Sequence, residues 1–226
     1  MGLVAVPVRR PEVVEPENEL AAMVAAIMQS RQTILPKRLI APGPGPEQLA
    51  MILNAAATAP DHGQLLPWRF VLVPQAARFR LADVFGEALI ARDKQATPEQ
   101  IGQAREKAYR SPLLLLVVVD GQCGDAAIDL PERIVSAGCA VQNMLLMATA
   151  LGYGSALTSG KALKFDGFRK LFGLAEGEHA LCFVSMGTAQ SRKLARLRPA
   201  PPEFVTRLPA VETAAQVEAL HSFYSL

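Results

Sequence analysis

The clearest periodicity in the chain lies near its start, where Leu20, Met23, Val24, Ile27 and Met28 recur at three- and four-residue spacing. That spacing predicts an amphipathic helix over about residues 18–30, with Asn18 as its cap. A second stripe, Leu49, Ile52, Leu53 and Ala56, follows the Pro/Gly stretch 41–46. No regular element runs through that stretch, which delivers a proline to the new helix's first turn. The longest stripe extends from about Glu132 to Leu151 and carries Ile134, Ala137, Gly138, Val141, Met144, Leu145 and Ala148 on one face. Gly152-Tyr153-Gly154 stops it.

Strands read differently. Arg69 to Val73 is β-rich and bounded by prolines, and Pro112 to Asp120 is a continuous aliphatic run. A run of strand length without alternation predicts a strand covered on both faces. Residues 75–110 are mainly helical in composition, with a break near Thr97-Pro98. Shorter strands are expected near 155–158, 180–186 and 204–206, and further helices near 165–172 and 212–223. Residues 1–16 have no period and read as a loose arm. Helices followed by strands alternating with helices predict an α+β or α/β fold in one domain.

Composition narrows the function. The chain has 226 residues and a mass of 24.2 kDa, is 50% apolar and 19% charged, and has a mean hydropathy of +0.21. A net charge of 23 − 21 = +2 is too small for a protein that coats nucleic acid, so no nucleic-acid partner is expected. The longest aliphatic run, Leu113 to Val119, falls far short of the roughly 20 residues that span a bilayer, so no membrane partner is expected either. Cys123, Cys139 and Cys182 stand far apart, as do His62, His179 and His221, so neither a disulfide framework nor a metal site is expected. The start shows no secretory pattern, and a cytoplasmic location is expected.

Chemistry concentrates in three places. Ser30-Arg31-Gln32-Thr33 closes the first helix; a guanidinium fork beside a hydroxyl suits a phosphate, and equally reads as a solvated cation at a helix C-terminus. Ala59-Pro60-Asp61-His62-Gly63-Gln64-Leu65-Leu66-Pro67-Trp68 is either a ligand loop carried by the sheet or a plain connection with Trp68 as its core anchor. Gly152 to Gly160 tempts comparison with a dinucleotide fingerprint. That motif follows a strand and opens a helix, whereas this one follows a helix, so a turn is the simpler reading.

Taken together and in order, these segments resemble the nitroreductase family of FMN-dependent oxidoreductases, particularly its compact members, from about Glu19 to Arg207. Ser30 to Thr33 stands where the family has its Arg-Arg-Ser element. Ala59 to Phe70 looks like the loop ending in Gln-Pro-Trp-Arg-Phe. Cys139 to Gly154 looks like the central helix with its Gly-x-Gly exit, and Met186-Gly187-Thr188 with Arg192 like the closing element and its downstream cation.

The resemblance implies a three-layer α+β sandwich, its mixed, mainly antiparallel sheet flanked by helices. An FMN domain over 17–208 would lie between the arm 1–16 and an extension 209–226 reaching the partner subunit. It implies a homodimer with FMN at the interface, reduced by NADH or NADPH and reoxidised by a small electron-poor acceptor such as a nitroaromatic, quinone or activated alkene. Arg31, Gln32 and Thr33 would hold the phosphate and ribityl end, with Arg192 or Lys193 as a second cation. His62 and Gln64 would reach the flavin from the loop, and Thr158, Ser159 and Gly160 from the other side. No side chain is expected as a catalytic base, because the flavin carries the chemistry. Two positions depart from the pattern: Leu35 stands where a Lys or Arg is frequent, and Leu66 where Gln precedes Pro-Trp. They leave open a dehydrogenase or desaturase of one metabolite, and a flavin-binding protein without useful turnover.

Overall fold

The computed structural model describes residues 18–192 and 197–206. The chain divides into a main unit, Pro16–Ala195, and a second unit made of Met1–Glu15 with Arg196–Leu226. In the main unit, helix α1 (Glu19–Ser30) begins where Asn18 Oδ1 accepts from the Ala21 N–H at 2.7 Å. Strand β1 (Leu39–Ile40) and helix α2 (Pro46–Ala56) come next, with Pro46 at the first helical position. Strand β2 (Trp68–Leu72) leads to helices α3 (Arg78–Arg92) and α4 (Pro98–Glu106), divided where Thr97 caps the second. Strand β3 (Leu113–Asp120), helix α5 (Leu130–Ala150), strand β4 (Gly154–Thr158), helix α6 (Asp166–Phe172) and strand β5 (Glu178–Ala189) complete it.

All named strand pairings are antiparallel. β5 pairs with β3, β4 and β1, while β2 lies beyond β3. A single parallel bridge, Thr33 to Ser155, supplies the mixed character. The burial of β3 follows from side-chain alternation. Leu113, Leu115, Val117 and Val119 face one core with Ile52, Ala137, Met144 and Trp68. Leu114, Leu116 and Val118 face a second core with Leu81, Phe168 and Phe183. Helices α2 and α5 cover one face and α3 and α6 the other, so a strand with no alternation in its sequence is right for its place. Leu116→Ala, at a position with no exposed surface, is expected to cost about 3 kcal/mol by leaving a cavity. Urea unfolding followed by circular dichroism checks this.

Two arginines belong to the scaffold. Arg78 donates to the carbonyls of Val73, Ala108, Ser111 and Pro112, and burial lowers its pKa. Arg133 donates to those of Ile128, Asp120, Cys123 and Asp125. Each fills its guanidinium with backbone oxygens that would otherwise be buried without partners.

Some expectations change. Ile134 and Gly138, placed by periodicity on the buried stripe of α5, are exposed, and buried Arg133 and Ser136 take their share of the inner face. Phe204-Val205-Thr206 forms no strand: among the described residues no neighbouring strand pairs with them. They follow a 3-10 turn, Pro201–Glu203, closed by the Ala200 N–H donating to Glu203 Oε1 at 2.6 Å. The predicted arm 1–16, the helix at 212–223 and the extension 209–226 lie outside the described residues.

Candidate flavin site

Helix α1 ends at Ser30, and the chain turns at once along β4. Thr33 bridges to Ser155, and the Ile34 N–H donates to the Ser155 carbonyl at 2.9 Å. Arg192 comes to the same segment, its Nη2 donating to the Gly152 carbonyl at 3.2 Å. Thr33 and Arg192, 159 residues apart in the chain, therefore both reach residues 152–155. Lys193 lies outside the described residues.

From Ser155, β4 runs three residues to Thr158, about 10 Å at strand rise. There it opens on a cavity of about 460 Å³. Thr158, Ser159 and Gly160 line it, together with Leu35. A Cβ built on Gly160 would meet nothing within 4 Å. Phe85, Leu163 and Phe183 supply apolar walls, while Lys37, Lys107 and Arg110 bring three cations and no carboxylate lines the space.

Arg110 differs from the two scaffold arginines. Its guanidinium makes one long hydrogen bond, Nη2 to Glu106 Oε2 at 3.5 Å, and its Nε is buried without a partner. A buried donor left unpaired costs free energy that a bound acceptor returns. Sequence reading missed Lys107 and Arg110, because their signal is three-dimensional: they end a helical segment on the far side of β3. A guanidinium with a buried, unpartnered Nε beside a cavity that no carboxylate lines fits an anionic or carbonyl-rich group. Leu35 does not leave this cavity without positive charge.

The loop with His62 and Gln64 is built apart from the cavity lining within one chain. Gly63, Gln64 and Leu66 all have positive φ, +66°, +53° and +47°. For Gln64 and Leu66 that conformation costs about 1 kcal/mol or more each. Asp61 Oδ2 accepts from the Leu66 N–H at 2.6 Å and closes the loop. His62 Nδ1 lies 2.7 Å from Glu132 Oε2. The Glu132 hydrogen bond and charge, then Asp125 and Asp61, raise the His62 pKa above its ordinary value. Trp68 anchors the loop's end, its Nε1–H donating to buried Ser136 Oγ at 2.9 Å. The cysteines play no visible part; burial pushes the Cys182 thiol up to about 11.

The fold is a three-layer α+β sandwich with a cation-lined cavity at the end of strand β4. Comparison with known proteins gives the family. The Nitroreductase family profile matches residues 41–188. The Escherichia coli K12 protein named "Putative NAD(P)H nitroreductase YdjA" is 34% identical over 171 residues, covering 75% of this chain and 91% of that protein. The crystal structure of a nitroreductase-like family protein from Bacillus cereus superposes with a TM-score of 0.69 at 18% identity, covering 83% of this chain and 96% of the other. A Bacteroides fragilis nitroreductase with bound FMN gives 0.59 at 18% identity, covering 82% and 98%. The chain belongs to the nitroreductase family and is an oxidoreductase of that family. Among the described residues, no helix is long and apolar enough to cross a membrane, and no group of His, Cys, Asp and Glu is placed to hold a metal ion.

Proposed function

We propose that this protein is an FMN-dependent NAD(P)H oxidoreductase that reduces small electron-poor acceptors, nitroaromatics, quinones or activated alkenes, in a ping-pong cycle. The observation that carries the reading is the continuous path along β4. Thr33, next in sequence to Arg31 and Gln32, bridges to Ser155 near its start, Arg192 donates to Gly152 just before it, and the cation-lined cavity lies at its end. When bound, FMN supplies the hydride-accepting and hydride-donating chemistry between nicotinamide and acceptor. Arg31 and Thr33 hold the phosphate through charge-assisted and hydroxyl hydrogen bonds, with Arg192, and Lys193 beside it in sequence, as the second cation. Thr158, Ser159 and Gly160 support the ring. Arg110 and Lys107, which line the cavity, would supply positive charge where reduced flavin gathers negative charge.

His62 and Gln64, apart from this cavity in one chain, complete a partner's site in the homodimer. The apolar face of α1 supports that assembly. Leu20, Met23, Val24 and Met28 are exposed, and a shallow groove of about 260 Å³ lies between Val24, Met28, Ala55 and Leu146. An apolar stripe left open on a helix of a folded unit marks a contact surface. Cytoplasmic placement belongs to the same reading.

Purified protein is expected to be yellow, with an FMN spectrum that bleaches anaerobically on adding NADH or NADPH and returns on adding a nitroaromatic or quinone. Colourless protein that takes up no added FMN would overturn the reading. Bound FMN that neither nicotinamide reduces would favour the flavin-binding alternative.

A further inference from the structure

Helix α5 grips the 58–68 segment at three points along its length. Glu132 meets His62 at 2.7 Å, Ser136 one turn later accepts from Trp68 at 2.9 Å, and Asn143 donates to Thr58 Oγ1 at 3.0 Å. Ser136 and its partner are buried and serve packing. The His62–Glu132 pair is different, with side chains 70% and 50% exposed. Ion pairs so open to water contribute little to stability. Their effect is on direction and protonation instead. With Nδ1 committed to the carboxylate, the ring is turned so that Nε2 points away from α5, and no partner for Nε2 is found among the described residues.

We infer that Glu132 is a positioning residue that holds His62 as an outward-facing imidazolium, an Nε2–H donor for an oxygen of the bound flavin cofactor. The inference rests on the FMN reading and extends it to a residue on a different element from those that line the cavity. The carboxylate fixes which ring nitrogen is committed and favours the charged ring. Neutral His62, with its remaining proton on Nδ1 toward Glu132, would present an acceptor at Nε2 and lose the contact. The charged groups facing the ring are Glu132 from α5, Asp125 from the loop before it and Asp61 from the ring's own loop, all acidic. Since the folded pKa is raised, the donor form persists to higher pH than in a free histidine and is lost as pH climbs through the raised value.

The test is the pH profile of cofactor affinity in wild-type protein and in Glu132→Gln, which keeps a hydrogen-bonding partner and removes the charge. FMN and riboflavin are each titrated by fluorescence quenching from pH 5.5 to 9. The His62 ring is followed by NMR, its signals identified by their loss in His62→Gln. The His62 midpoint is expected to fall in Glu132→Gln, and the loss of affinity to move down with it. Between the two midpoints the variant should bind about tenfold more weakly, because its neutral His62 has lost the charge-assisted hydrogen bond that the wild type keeps. A shift seen with both ligands places the contact on the ring, and one seen with FMN alone places it on the phosphate. Equal weakening at every pH, or an unchanged His62 midpoint, would overturn the inference and leave the FMN reading standing. Wild-type protein that binds neither ligand at any pH would instead remove the FMN reading and this inference with it.

Discussion

Arg31→Ala is expected to purify with little or no FMN and to bind added FMN about a hundredfold more weakly than the wild type. An FMN phosphate carries about −1.5 to −2 charges near neutral pH. A bidentate guanidinium contact to such a group is worth about 3 kcal/mol, and 1.4 kcal/mol is tenfold in affinity. Arg192 does not make up the difference, because its Nη2 already donates to the Gly152 carbonyl. Arg31→Lys should recover part of the loss, since it restores charge without the two-pronged geometry. The measurement is flavin occupancy after gel filtration, with fluorescence titration of the apoprotein. Near-stoichiometric flavin in Arg31→Ala would remove the phosphate assignment. Retained riboflavin binding in the same variant would show that the loss is confined to the phosphate.

The second large effect concerns Arg110. Arg110→Gln should keep FMN but make its reduction harder, with a two-electron potential lower by about 30 to 60 mV. The figure follows from the value of one hydrogen bond to a charged group, about 1.5 to 3 kcal/mol, at about 30 mV per 1.4 kcal/mol. The direction is set by charge: reduced flavin is more negative at its pyrimidine edge than oxidised flavin, so losing a nearby cation penalises the reduced form. Arg110 is suited to this role because its donors are unspent, with only the 3.5 Å contact to Glu106 and a buried, unpaired Nε. Anaerobic dye-coupled titration measures the shift. An unchanged potential with tight FMN binding would assign Arg110 to the scaffold, beside Arg78 and Arg133. Lys107→Gln, at an exposed lining position, should shift the potential in the same direction and by less, because solvent screens it.

Much of this was legible in the sequence, for identifiable reasons. The helices α1, α2 and α5 were marked by stripes, caps and prolines, which act within a few residues of where they stand. The β3 run announced burial on both faces because seven consecutive aliphatic side chains leave no face for water. Thr158, Ser159 and Gly160 were singled out by motif order, and all three line the cavity. Less was legible where partners are distant. The two-residue β1 is held by Thr188 and Ala189 and has no local signal. The inner face of α5 takes Arg133 in place of Ile134, because four backbone carbonyls outside the helix need a donor.

The sequence by itself determined the helices, the strand buried on both faces and the order of the motifs, all of which depend on neighbours along the chain. Only the tertiary structure decided which cations line the cavity. Lys37 and the pair Lys107 and Arg110, about 70 residues apart in the chain, reach it from separate segments, and charge acts through space rather than along the backbone. Glu132 pairs with His62 for the same reason: 70 residues apart in sequence, they meet because the first turn of α5 packs against the turn that follows α2.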